Sequence, residues 1–90
     1  MNREKYIEEV EIVILDIIGV GTLMLISSVK SYMKRKMAKE MDSIIKKHDL
    51  SIGIDDMVDN AIISLLRKGA VINIGAKIKR PCDEIKKLNY

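Results

Sequence analysis

The chain has 90 residues, of which 48% are hydrophobic and 32% charged, with a net charge of +3. That length supports one small core and excludes two independent domains, and the apolar content argues against disorder over most of the chain. One cysteine and one histidine exclude an internal disulfide and a zinc site built from four protein ligands.

Residues 1–90 are therefore expected to form a single domain, with 81–90 as a short tail. The chain lacks Trp, Phe and Gln and is rich in Ile and Lys, a balance that suits a protein from a hyperthermophile or an AT-rich genome. Its first residues, Met1 to Tyr6, lack the basic-then-apolar order of a signal peptide. With the lone Cys82, this points to a reducing, cytoplasmic setting.

From Glu4 to Ile18, the residues Ile7, Val10, Ile14, Ile17 and Ile18 follow a helical stripe that Gly19 and Gly21 end. Ile12, Val13 and Leu15 widen the stripe, so this first helix needs cover on several sides. Because the run is β-branched, a strand hairpin turning at Gly19-Val20-Gly21 is the alternative over residues 8–26. A single membrane span competes over residues 12–29, which carry one charge, Asp16, and lead into Lys30, Lys34, Arg35 and Lys36.

Thr22 to Ile26 is short enough to be one edge strand, after which Ser27 or Ser28 is placed to cap a second helix. Along that helix Val29, Met33, Met37, Met41, Ile44 and Ile45 form one stripe, read as core, and Lys30, Lys34, Arg35, Lys39 and Lys46 lie off it. Residues 46–54 break the period and form a connector in which His48 reads as a surface histidine. A third helix follows, capped by Ser51 or Asp55, with Asp55, Asp56 and Asp59 near its start, Arg67 and Lys68 near its end, and Gly69 to close it. From Val71 the period changes to two, and Gly75 supplies a turn between strands anchored by Ile74 and Ile78.

The run from Val58 to Gly69, continuing through Val71-Ile72-Asn73-Ile74-Gly75-Ala76-Lys77-Ile78-Lys79-Arg80-Pro81, resembles the third helix and wing of winged helix-turn-helix domains. The resemblance implies a mainly α (α+β) fold of three helices and a small C-terminal β-ribbon. It implies binding to double-stranded DNA, or service as a subunit-docking module, as the function.

Charge along the chain falls in blocks: residues 1–16 sum to −3, 30–47 to +5, 49–60 to −4 and 67–87 to +5. The basic blocks place Lys30, Lys34, Arg35, Lys39, Arg67, Lys77, Lys79 and Arg80 as candidate DNA-phosphate contacts, groups that carry little sequence information. Asp56 and Asp59 would repel DNA, and on the third helix only Asn60 and Arg67 have base-reading chemistry. Ile12, Leu15 and Ile63 are candidates for a protein interface, either a homodimer or an accessory-subunit contact with a larger replication or transcription enzyme. No phosphate loop, metal-ligand set or nucleophile-base pair is legible, so neither catalysis nor a cofactor is expected.

Overall fold

The computed structural model describes residues 3–81. In chain order these form helix α1 (Arg3–Ile17), strand β1 (Leu23–Leu25), helices α2 (Ile26–Arg35), α3 (Ala38–Lys47) and α4 (Ile54–Lys68), and strands β2 (Ile72–Ile74) and β3 (Lys77–Lys79). The fold is mainly helical, with one three-stranded antiparallel sheet in the order β1-β3-β2. The tail beyond Pro81, Cys82 included, lies outside the described residues.

The β-branched run of α1 is a helix because its charges forbid a half-buried strand. Tyr6, Val10, Ile14 and Ile18 are all buried, yet Glu8 and Asp16 share their parity and would be forced onto the same face of a strand. A helix carries those acids round to solvent, and Ile12 with them, at 63% exposure. Of the two readings of residues 8–26, helix followed by strand is the one observed.

The proposed span at residues 12–29 does not form. Gly21, at φ +79°, and a bond from the Thr22 amide to the Gly19 carbonyl turn the chain between α1 and β1. The stretch is thus divided among a helix end, a turn, a strand and the start of α2. No helix among the described residues is long and apolar enough to cross a membrane.

The expected single second helix is broken at Lys36 and Met37 into α2 and α3. A stripe spaced by four residues drifts by about 40° per step in a helix of 3.6 residues per turn. Met41 would lie about 120° round from Val29 had the helix continued. The break re-aims the second half, and Val29 and Met33 from α2 join Met41 and Ile44 from α3 in one core.

Both expected side-chain caps are also absent. The residues at the N-caps of α2 and α4 are Leu25 and Gly53, neither with a side-chain capping bond. Ser27 and Ser28 fall inside α2, and Asp55 and Asp56 inside the first turn of α4. Carboxylates there complement the amide end of the helix dipole without bonding as caps. At the other end Gly69 closes α4 in the left-handed conformation, φ +76°, as its position predicts.

The core lies between α1 and α4, where Tyr6, Val10, Ile14 and Ile18 meet Val58, Ala61, Ile62 and Leu65, with Val71 and Ile78 closing the sheet end. Ile78 anchors the ribbon as expected, but Ile74 does not and is 47% exposed. Its partner explains why. The hairpin turn Gly75-Ala76 pairs Ile74 with Lys77, one residue out of phase with the buried Ile78, so both point away from the core.

Candidate functional site

Three of the eight candidate phosphate contacts are occupied inside the molecule. Lys30 Nζ lies 2.8 Å from Asp59 and Lys34 Nζ 3.1 Å from Asp55, so the lysines of α2 are tied to the acidic first half of α4. The hydrogen bond to Asp59 raises the Lys30 pKa above the ordinary lysine value. Arg80 donates from Nη1 to the carbonyls of Leu15 (2.8 Å) and Ile18 (3.3 Å), covering carbonyls that the end of α1 leaves without helical partners.

The other five behave differently. Arg35 near the α2–α3 break, Lys39 on α3, Arg67 on α4 and Lys77 on β3 are exposed, Lys79 is half-exposed, and none has an ion-pair partner among the described residues. Asp56 is the one α4 aspartate without such a pair among those residues. The two interhelical pairs thus remove two lysines from the cationic surface and also mute two of the acids that would repel a phosphate.

Asn60 is engaged as well. Its side-chain amide donates to the Tyr6 hydroxyl at 3.0 Å, across a cleft of about 500 Å³ between α1 and α4. The cleft is lined by Tyr6, Glu8, Ile63, Ser64 and Arg67 among others. Of the two α4 residues with base-reading chemistry, Arg67 is the one without a side-chain bond among the described residues. Of the interface candidates, Ile12 and Ile63 are exposed (63% and 47%), and Leu15 is half-buried against the core.

His48 is not a surface residue. Its side chain is 7% exposed and its Nε2 lies 2.6 Å from Oε2 of Glu9, with Lys47 Nζ at 3.3 Å from the same oxygen. The carboxylate accepts, so the ring nitrogen donates. This bond holds the Glu9 pKa below the ordinary carboxylate value, against a smaller upward push from burial. Two residues on, on the other side of α1, Glu11 is buried. Its Oε1 accepts from Lys68 Nζ at 2.7 Å, while Oε2 has no partner among the described residues. That bond raises the Lys68 pKa.

One surface was not legible residue by residue in the sequence. The register pairs Leu23 and Ile72 with Lys79, and Leu25 and Ile74 with Lys77, forming two rows on the outer face of the sheet. All four apolar residues in those rows are 42–47% exposed. The signal was present in the two-residue turn, which sets the pairing of β2 with β3. Nothing local reports that β1 pairs with β3.

Among the described residues no three His, Cys, Asp or Glu side chains converge as a metal site. Comparison with known protein families, curated sequences and solved structures gives no match.

Proposed function

We propose that the chain is a winged-helix-like module that meets double-stranded DNA through its phosphates, with little sequence preference, in a cytoplasmic setting. The observation that carries this reading is the element order. A helix, an edge strand, a broken helix and a further helix lead directly into a two-stranded ribbon, with the first strand added to the ribbon as β1-β3-β2. That order supports α4 as the third helix of such a domain, α2 and α3 together as its second, and β2–β3 as its wing.

The cations that serve phosphates in this reading are Arg35, Lys39, Arg67, Lys77 and Lys79. Lys30 and Lys34 drop out because their charges are paired with aspartates, and Arg80 because its guanidinium is bonded to the end of α1. Fluorescence-anisotropy titration against a short labelled duplex at several salt concentrations tests it. Three to five phosphate contacts give a log-log slope of about −3 to −4.5. A folded protein that fails to bind duplex at low salt sinks the reading.

A second reading, an accessory subunit seated on a larger nucleic-acid enzyme, is favoured by the exposure of Ile63 in the α1–α4 cleft. In that case the module lends cationic surface while an apolar contact supplies the affinity.

A further inference from the structure

The outer face of the sheet is an apolar surface with a cationic centre. β3 is the middle strand, so Lys77 and Lys79 run down the middle, with Leu23 and Leu25 on one side and Ile72 and Ile74 on the other. Single exposed apolar side chains are ordinary, but four on one face of a nine-residue sheet make a patch. A phosphate backbone would satisfy the lysines and leave all four apolar side chains in water. A wholly apolar partner would bury two ammonium groups without counter-charges. The same face of a second copy would set lysine against lysine. The complement is a surface that is both acidic and apolar.

This chain carries one. Glu8, Ile12 and Asp16 follow one another at intervals of four along the outward side of α1, and Ile12 is the most exposed large apolar residue among those described. Leu15 flanks the stripe. Glu8 and Asp16 have no ion-pair partner among the described residues, whereas Glu9 and Glu11 are engaged with His48, Lys47 and Lys68. The stripe and the sheet belong to adjoining parts of the fold, because Arg80, one residue beyond β3, is bonded to the carbonyls of Leu15 and Ile18.

We infer that a second copy of this chain docks the Glu8–Ile12–Asp16 side of its α1 on the outer face of the sheet, and that the contact is made twice in a closed dimer. One sheet face of six residues is much smaller than one side of a standard stable interface, about 20–30 residues. Reciprocal docking doubles the area and leaves neither copy's patch uncovered, whereas a one-way contact would propagate into open chains. The dimer is consequently weak and concentration-dependent. This goes beyond the DNA reading and withdraws Lys77 and Lys79 from it, leaving Arg35, Lys39 and Arg67 for phosphates.

The test is sedimentation equilibrium of the full chain from low micromolar to near-millimolar concentration, with two charge variants and their mixture. Wild type follows a monomer–dimer equilibrium. The double variants Lys77→Glu/Lys79→Glu and Glu8→Lys/Asp16→Lys each weaken dimerisation at least about tenfold through like-charge contact. An equimolar mixture of the two restores it, because both contacts of the mixed dimer are then matched. Circular dichroism melts confirm that each variant is folded, and restoration on mixing is not available to an unfolded chain. A monomer throughout, a dimer indifferent to both variants, or a mixture that stays monomeric overturns the inference. The duplex titration separates this from the DNA reading. If Lys77→Glu/Lys79→Glu loses DNA affinity while wild type is monomeric, the lysines serve phosphates and the dimer is wrong. If wild type dimerises without binding duplex, the DNA reading is wrong and the dimer stands.

Discussion

Glu11 and Lys68 form an asymmetric pair, and the asymmetry decides what each substitution does. The carboxylate is buried with one oxygen lacking a partner among the described residues, while the ammonium is half in solvent. Removing Lys68 strands a buried charge, whereas removing Glu11 only returns an exposed ammonium to water. Lys68→Ala is therefore expected to lower the melting temperature by several degrees, as read by thermal melting. Glu11→Met is expected to be neutral or stabilising in the same assay. Glu9 gives a pH signature of the opposite kind to a lysine's. Its folded pKa is depressed by His48, so its contribution is present above the unfolded value of about 4.3 and is lost as pH falls through the folded value. The stability gap between wild type and Glu9→Gln, measured by urea unfolding, is expected to be widest near neutrality and to close in acid. Neither role was legible in the sequence. Glu11 lies one position beyond Val10 on a stripe crowded with isoleucines, and nothing near His48 in the chain announces a carboxylate 39 positions away.

At the scale of elements, what could be read in advance was periodicity, and what could not was aim. The third helix of the sequence reading is α4, because its apolar spacing, acidic start, basic end and Gly69 all agree. The second helix reads as unbroken because a stripe spaced by four looks continuous in sequence while rotating steadily in space. Only the position of the core shows that Met41 must be turned back. The serine and aspartate positions do not cap because helix boundaries depend on where the preceding strand lets go, and β1 runs into α2 without an intervening residue. Gly69 is where local sequence and backbone agree most closely, so it is the place to test α4. A Cβ there meets nothing within 4 Å, which leaves backbone strain at φ +76° as the only expected effect. Gly69→Ala is accordingly expected to cost about 1 kcal/mol in chemical denaturation with an unchanged m-value. A neutral result would mean that α4 ends differently in solution.

For the whole molecule, the arrangement of charge matters more than its sum. The two basic blocks looked additive in sequence, but folding sets the first, in part, against the acids of α4, and spends Arg80 on the end of α1. The surface that remains is sparsely cationic, with a single unengaged base reader on α4 among the described residues, and this determines how the proposed DNA contact should respond to mutation. Asn60 is bonded to Tyr6, so it acts in the fold and is withdrawn from recognition. Asn60→Ala should cost about 1 kcal/mol of stability by leaving the Tyr6 hydroxyl without that partner, and should leave duplex affinity unchanged. Arg67→Ala should do the reverse, preserving the melt while lowering affinity equally for duplexes of unrelated sequence and reducing the salt slope by about 1. Anisotropy titrations of both variants against two unrelated duplexes separate the modes. A loss of affinity in Asn60→Ala confined to one duplex would mean that α4 reads bases after releasing Tyr6, and the phosphate-only mode would then be wrong.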